Sequence, residues 1–391
     1  MRRRGPQILR EFRAPDEVGA EQRAWTVVRA ACVKRAPAPR AKPRLRLALA
    51  PALALIAAAL VLSPAGARVG RIITHALGVA HASRALYSLP TAGRLLLSGA
   101  GGTWTAAADG STRHLGSWPQ ASWSPRGLYV AVASGDRLAA VDPHGNVQWA
   151  IARPQVSDPR WYSPSGYRVA YLSGDTLRVI AGDGTADHLL ALHVAHVAPA
   201  WRPGASLGPF ELAYVTERNQ VVVRDGDTAG VLWRALPGAR PRELMWSSEG
   251  RQLVVVSSHT ATIYSANGGR GARISLPGRD TVTDAALSPD GRTLALVLNQ
   301  DQVVVSATGH RPMAMRQLLA TDGLREVSWS PDGRWLVVAL PAANQWVFVR
   351  VAGAPQVAAV GRIAQQFSTG GAARAFPRLD GWCCTTGGEA G

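Results

Sequence analysis

Cysteine and lysine are scarce in this chain of 391 residues, and each scarcity excludes a class of protein. The only cysteines are Cys32, Cys383 and Cys384, which are too few for a disulfide framework and have no spacing suited to a zinc site. Lysine occurs only at Lys34 and Lys42, so arginine carries almost all of the positive charge. Because the arginines form no convergent cluster in the sequence, we expect no nucleic-acid partner. Stability must therefore come from a hydrophobic core.

Motifs of known catalytic sites lack the context that they require. The G-x-S-x-G pattern of a serine peptidase occurs at 204–208, but there it lies in the insertion after Trp201 and not at a turn from a strand into a helix. On a strand His193 and His196 would face opposite sides, so we expect them to be surface residues rather than joint metal ligands. The stretches 182–187 and 224–230 contain Asp-Gly pairs but lack the later carboxylate of a calcium loop, and they predict hairpin turns. We therefore predict that the protein is not an enzyme and has no catalytic residue, metal or cofactor.

The positive charge is concentrated at the N-terminus. The net formal charge is +17, and residues 1–46 contribute about +9 of it. Within this basic head, residues 14–33 have the composition of an amphipathic helix, with acidic residues early and basic residues late. Its apolar stripe consists of Val18, Trp25, Val28 and Cys32. The stripe is compatible with a cytoplasmic partner, with the inner membrane leaflet, and with no partner at all.

An uncharged run at 47–67 is long enough to cross the hydrocarbon core of a membrane. Its N-terminal flank is the richer in positive charge, so the positive-inside rule places 1–46 in the cytoplasm and the rest outside the cell. A cleaved signal peptide is the alternative, although its charged region would be far longer than usual. We predict a single-pass signal anchor in the cell membrane, followed by a juxtamembrane helix or linker at 68–85.

One phrase recurs along the rest of the chain, in which a bulky apolar residue precedes a Pro/Gly turn. We call these bulky residues the blade anchors: Trp123, Trp161, Trp201, Trp246, Leu287 and Trp329. Their spacings of 38, 40, 45, 41 and 42 residues match the period of roughly 40 to 50 that is typical of propeller blades. Short apolar runs separated by polar turns follow each anchor and predict four strands per blade. The fold class is therefore all-β, a β-propeller over 86–384, with each anchor between neighbouring blades.

The length of this region predicts seven blades. Six units of about 41 residues explain about 246 of the roughly 306 residues from Leu86 onward. Residues 94–118 match the later strands of a blade, whereas 376–384 resemble an anchor strand, with Trp382 as a seventh anchor. Pairing of these two segments would close the ring and leave no free sheet edge. A six-bladed propeller is the alternative, and 385–391 are predicted to be a disordered tail.

The adjacent Cys383 and Cys384 lie in the predicted closing strand and outside the cell. One interpretation is a vicinal disulfide that makes this strand rigid. The geometric demands of a disulfide favour the other interpretation, two buried thiols on opposite faces of the strand.

The turn sequences at 288–292 and 329–334 resemble the TolB-like, WD40-related β-propeller repeats of bacteria. The resemblance extends over about 94–384 and is weakest after Trp201, where an insertion stands in place of Asp-Gly. The whole layout is similar to membrane-anchored propeller proteins of high-GC Gram-positive bacteria. That resemblance implies a fold and a location but no established activity.

These observations predict a non-enzymatic, membrane-anchored scaffold whose propeller binds a protein, a peptide or an envelope ligand outside the cell. One alternative is a transmembrane signalling regulator with the propeller as its sensor. Another is a hydrolase or lyase with a site in the propeller channel. The sequence contains no set of residues that selects among the three, because a propeller serves all of these functions. The oligomeric state also stays open.

Overall fold

The structure is a computed structural model, and it describes most of the predicted propeller. The described residues are 89–204, 207–276, 278–309, 315–353, 356–368 and 375–384. The predicted head, signal anchor, juxtamembrane segment and C-terminal tail all lie outside these ranges. Within the described ranges, no helix is long and apolar enough to cross a membrane.

The described strands form four-stranded antiparallel sheets, here called blades. Blade 1 contains β28 (Arg378–Cys383), β1 (Arg94–Ser98), β2 (Thr103–Ala107) and β3 (Thr112–Gly116). Blade 2 contains β4 (Gln120–Trp123), β5 (Val130–Ser134), β6 (Arg137–Val141) and β7 (Val147–Ala152). Blade 3 contains β8 (Val156–Trp161), β9 (Arg168–Ser173), β10 (Thr176–Ala181) and β11 (His188–Ala191). Blade 4 contains β12 (Ala200–Trp201), β13 (Glu211–Val215), β14 (Val221–Asp225) and β15 (Val231–Ala235).

The remaining blades follow in chain order. Blade 5 contains β16 (Pro241–Trp246), β17 (Gln252–Ser257), β18 (Thr260–Ser265) and β19 (Arg270–Ser275). Blade 6 contains β20 (Val282–Leu287), β21 (Thr293–Leu298), β22 (Gln302–Ala307) and β23 (Arg316–Ala320). Blade 7 contains β24 (Val327–Trp329), β25 (Trp335–Leu340), β26 (Gln345–Arg350) and β27 (Val357–Gly361), with a 3₁₀ turn at Pro341–Ala343. The short helix α1 (Ile363–Gln366) comes next.

The blades are arranged as a closed ring. The first strand of each blade contacts the first strands of both neighbouring blades, and β28 completes the circuit between β24 and β4. The described residues thus form a seven-bladed β-propeller, as the anchor spacing predicts, and the six-bladed alternative is wrong. The middle strands are apolar on both faces because both faces meet a neighbouring blade: every residue of β25 is buried, whereas the outer strand β7 is mostly exposed.

The hydrophobic core is divided among the gaps between blades. Each of the seven apolar clusters in the described residues draws its side chains from two adjacent blades. One cluster, for example, joins Leu172 and Val179 of blade 3 to Leu212 and Val222 of blade 4. A single blade would therefore expose two apolar faces to water, and it is stable only between neighbours.

The last described strand supplies the innermost strand of blade 1. In the antiparallel pairing of β28 with β1, Trp382 lies opposite Leu95 and Cys383 opposite Arg94. The Trp382 side chain is 7% exposed, and its ring meets that of Phe348 in blade 7 edge to face, with centroids 5.7 Å apart. The end of the described chain thus covers the cluster between blades 7 and 1.

The blade anchors lie at or next to the ends of the first strands. Trp123 ends β4, Trp161 ends β8, Trp201 ends β12, Trp246 ends β16, Leu287 ends β20, Trp329 ends β24, and Trp382 is the penultimate residue of β28. Three indoles donate to the residue before the preceding anchor: Trp201 to Arg160 O at 2.9 Å, Trp246 to Ala200 O at 3.2 Å, and Trp329 to Ala286 O at 3.0 Å. These three anchors therefore join neighbouring blades by hydrogen bonds as well as by packing.

Replacing Trp382 with alanine should destabilise the whole ring. The substitution removes a buried indole from the cluster at the seam, and we expect a loss of about 3–5 kcal/mol in the free energy of unfolding. Urea unfolding of the full chain, followed by circular dichroism, measures this loss. The control Leu236→Ala, at a side chain that is 62% exposed, should change the stability by less than about 0.5 kcal/mol. Equal effects of the two substitutions would contradict a closing role for β28.

Candidate functional site

In the regular turns between the first and second strands, the polar groups of the turn hydrogen-bond to one another. In blade 7, Ser330 Oγ accepts from the Trp335 N–H at 2.9 Å and donates to Asp332 Oδ1 at 2.6 Å. The Gly333 N–H donates to Ser330 O, and its φ of 67° is in the left-handed region that favours glycine. The Ser-Pro-Asp-Gly sequence therefore closes a turn whose side chains are occupied with one another.

The corresponding turns of blades 2 and 3 depart from this pattern. Arg126 and Ser165 stand where blades 6 and 7 have an aspartate. The residue after the turn glycine is Leu128 in blade 2 and Tyr167 in blade 3, whereas blades 5 to 7 have an arginine there. Two apolar side chains consequently replace two charged ones on neighbouring turns.

These departures surround a cleft between blades 2 and 3, which we call the aromatic cleft. It has a volume of about 610 Å³, and Tyr129, Trp161 and Tyr167 are among its lining residues. The Tyr129 and Trp161 rings are stacked, with centroids 6.5 Å apart and planes 24° apart. Leu128, Tyr129 and Tyr167 are 55%, 41% and 51% exposed. Exposed aromatic rings that line a concave site are typical of ligand-binding surfaces.

The charged side chains around the aromatic cleft differ in whether they have a hydrogen-bond partner. Arg168 donates twice to the Asp227 carboxylate, at 2.8 and 2.9 Å, and this hydrogen bonding raises the pKa of Arg168. Asp183 Oδ1 accepts from the N–H and Oγ1 of Thr185, which lowers the pKa of Asp183. Arg126 is exposed at the rim and has no hydrogen-bond or ion-pair partner among the described residues. One cation of the cleft is therefore free to meet a ligand.

A second set of tryptophans fixes the outer part of the blades. The Trp149 indole in β7 donates to Gly182 O at 2.9 Å, and the Trp233 indole in β15 donates to Ala266 O at 2.8 Å. Both acceptors lie in a turn of the next blade. In the sequence analysis no role is predicted for Trp149 or Trp233. The repeat of tryptophan at the same place in the outer strands, in VQW and VLW, is the pattern that indicates a shared role. Trp149 also forms part of the floor of the aromatic cleft.

The central channel contains a second cavity, with a volume of about 350 Å³. Carboxylates lie three residues before four of the anchors, at Asp158, Glu243, Asp284 and Glu326, and β28 adds Asp380. The first strands have no partner strand on their channel side, so their N–H groups need side-chain acceptors. Asp284 Oδ2 accepts from the Val327 N–H at 2.7 Å, and Gln120 Oε1 accepts from the Asp158 N–H at 2.8 Å. These side chains therefore connect blade 6 to blade 7 and blade 2 to blade 3 along the channel wall.

Burial disfavours the charged form of four of the channel carboxylates. It raises the pKa of Glu243 to about 7. Burial and the repulsion from Glu243 together raise the pKa of Asp284, and burial raises the pKa of Glu326. Burial also raises the pKa of Asp380, although Arg378 donates to it at 2.8 Å. A carboxyl that titrates near neutrality, as Glu243 does, can exchange a proton in the cell, a property that the hydrolase or lyase alternative requires.

Solved structures resemble this chain in fold but differ from it in sequence. Hsv2 of Kluyveromyces lactis aligns with a TM-score of 0.54 and 14% identity, over 68% of this chain and 94% of that one. A chain of a mitotic checkpoint complex aligns with a TM-score of 0.54 and 18% identity, over 69% and 93%. The β-propeller domain of Cps50 (Swd1) from Myceliophteria thermophila aligns with 0.50 and 14%, over 66% and 95%.

The chain has a WD40-like seven-bladed β-propeller fold. No protein-family model and no curated protein matches its sequence. At these identities the likeness to solved propellers carries the fold and not the activity.

The histidines predicted to be surface residues include one member of a charged group. His193 and His196 are both exposed. His193 Nδ1 lies 3.8 Å from Asp175 Oδ2 and 3.7 Å from Glu217 Oε2, a grouping of turns from blades 3 and 4 that the sequence does not reveal. Within the described ranges, these three side chains have ligand atoms near enough to share a metal ion, and all three are exposed. The stretches 182–187 and 224–230 form hairpin turns.

Cys383 and Cys384 are joined by a disulfide in the structure, in place of the two separate thiols that the sequence analysis favours. Cys384 Sγ lies 3.8 Å from the Pro125 carbonyl oxygen. The Gly127 carbonyl in the same turn accepts from Arg94 Nη2 at 2.7 Å. The closing strand and its partner β1 therefore contact the turn that forms one side of the aromatic cleft.

The raised pKa of Glu243 predicts a loss of stability as the pH rises. Below the ordinary pKa of a glutamate, Glu243 is protonated in both the folded and the unfolded state, and its contribution to the free energy of unfolding is complete. This contribution is lost as the pH rises through about 7, because the unfolded state releases the proton at a lower pH than the folded state does. Glu243→Gln should therefore be more stable than the wild type at about pH 8, by about 3 kcal/mol, and equal to it near pH 4.

Thermal unfolding at a series of pH values measures this difference. The control Glu249→Gln changes an exposed glutamate in the same blade, and it should leave the pH profile unchanged. A Glu243→Gln profile parallel to that of the wild type would show that this carboxyl does not titrate as described.

Proposed function

We propose that this chain is a non-enzymatic, membrane-anchored, TolB-like propeller that binds a protein or peptide outside the cell through the aromatic cleft. Residues 47–67 would anchor it in the cell membrane, with 1–46 in the cytoplasm. The propeller then serves as a rigid scaffold for the binding surface. The anchor and its orientation rest on the uncharged run and on the basic flank before it.

The aromatic cleft is the observation that carries the proposed binding function. Exposed large side chains are costly to leave in water, yet three of them border one concave site. They lie at two neighbouring turns that lack the Ser-Pro-Asp-Gly sequence of blades 6 and 7, in which the polar groups of the turn hydrogen-bond to one another. A surface that serves only stability would have no reason to lose charged residues at two adjacent turns. One similar propeller forms part of a mitotic checkpoint complex, and we propose that this chain also engages a protein partner.

A photo-crosslinking amino acid at Leu128 should capture the partner in intact cells. Leu128 is exposed at the cleft, so a partner seated there lies within reach of the crosslinker. The expected result is one specific adduct, identified by mass spectrometry. The control position is Val357 in β27, which is 47% exposed and belongs to blade 7. Adducts that are the same at both positions, or absent at position 128, would contradict binding at this cleft.

The proposed topology is tested by cysteine labelling with a membrane-impermeant maleimide. A cysteine placed by Arg113→Cys, at an exposed position in β3, should react in intact cells. The native Cys32 in the basic head should react only after the membrane is permeabilised. Peptide mapping distinguishes the two sites within one sample. Labelling of Cys32 before permeabilisation, or of position 113 only after it, would reverse or abolish the proposed orientation.

A further inference from the structure

The charges at the aromatic cleft indicate the chemistry of its occupant. Arg168 is neutralised by Asp227 and also lies over the Phe210 ring, 4.6 Å from its centroid. Asp183 is engaged by Thr185. Arg126 is the cation at this rim without a hydrogen-bond or ion-pair partner in the described part of the chain. An acidic group of the occupant would complete the pairing, because guanidinium and carboxylate form strong charge-assisted hydrogen bonds.

The walls of the cleft indicate a second requirement. Tyr129 and Trp161 present a stacked aromatic surface, and Tyr167 from the next blade adds another exposed ring. Aromatic rings pack favourably against another ring or a large aliphatic side chain. A volume of about 610 Å³ is enough for one large side chain with its backbone and an adjacent residue. The occupant therefore combines an apolar side chain with an acidic one.

We propose that the aromatic cleft binds an extended peptide segment of the partner in which an aromatic or large aliphatic residue is next to an acidic residue. The apolar side chain packs against Tyr129 and Trp161, and the acidic side chain pairs with Arg126. This inference rests on the proposed function and specifies the ligand of the same site. An anionic membrane surface has similar chemistry, but membranes bind protruding apolar groups and several cations, whereas this site is concave and offers one unpaired arginine.

Capped model peptides test the inference on the full-length protein in detergent. The probes are Gly-Gly-Phe-Glu-Gly-Gly, its Phe→Ala form and its Glu→Lys form, each with blocked ends. Saturation-transfer difference NMR at millimolar peptide measures their relative affinities. The wild type should prefer the Phe-Glu peptide to the Phe-Lys peptide by about fivefold, the effect of one exposed charge pair. It should also prefer it to the Ala-Glu peptide, which lacks the ring that packs against the aromatic wall.

Charge reversal at the rim gives the decisive comparison. Arg126→Glu should invert the preference, so that the Phe-Lys peptide binds more tightly than the Phe-Glu peptide. Tyr129→Ala should weaken both without changing their order. The matched control is Arg292→Glu, at an exposed arginine on the equivalent turn of blade 6, and it should keep the wild-type preference. Unchanged melting temperatures establish that each variant is folded.

Several outcomes would overturn this inference. If Arg126→Glu leaves the peptide preference unchanged, or if Arg292→Glu changes it equally, Arg126 does not pair with the acidic residue of the peptide. Sedimentation with phosphatidylglycerol vesicles in the absence of peptide binding assigns the site to a membrane surface instead. If no peptide binds while position 128 still crosslinks to one partner, the proposed function stands and the acidic peptide is wrong. If position 128 also fails to crosslink, the binding function itself is wrong.

Discussion

No blade of this propeller can bury its own apolar surface, and the rest of the structure depends on that constraint. The middle strands are apolar on both faces, so each needs a neighbour on either side. A row of such units has two unsatisfied ends, and only a ring has none. The pairing of β28 with β1 provides the closure, and Trp382 fills the seam between blades 7 and 1.

Much of this fold is predictable because its determinants are local and repeated. A bulky residue before a Pro/Gly turn recurs with a period near 41, and this period together with the length of the region leads to seven blades. The segment at 376–384 is recognisable because it has the form of an anchor strand without later strands. The indole hydrogen bonds are not predictable, since they depend on the position of the preceding blade: the Trp329 indole meets the carbonyl of Ala286, 43 residues earlier.

The candidate site is harder to predict because it exists only between blades. Tyr129 and Tyr167 are far apart in sequence, and only the lateral packing of blades 2 and 3 brings them to one cleft. The substitution of Leu128 for a turn arginine is visible in the sequence, but its meaning requires knowing which turns are neighbours. The interaction between channel carboxylates is hard to predict for the same reason. Glu243 and Asp284 occupy equivalent positions before their anchors, yet their mutual repulsion follows from the ring and not from either strand.

The turn at 124–127 takes part both in the closure of the ring and in the aromatic cleft. Arg94 of β1 donates to the Gly127 carbonyl, and a Cβ atom at Gly127 would lie 2.8 Å from Cys384 Sγ, so the turn is held by both edges of the closing pair. In blade 7 Asp332 accepts from Ser330 within the turn itself. Blade 2 has Arg126 at this position, and its turn keeps the hydrogen bonds from the Tyr129 N–H to Ser124 Oγ and from the Gly127 N–H to the Ser124 carbonyl oxygen. These bonds and the contacts from blade 1 hold the turn without the Arg126 side chain, so its charge is available to a ligand.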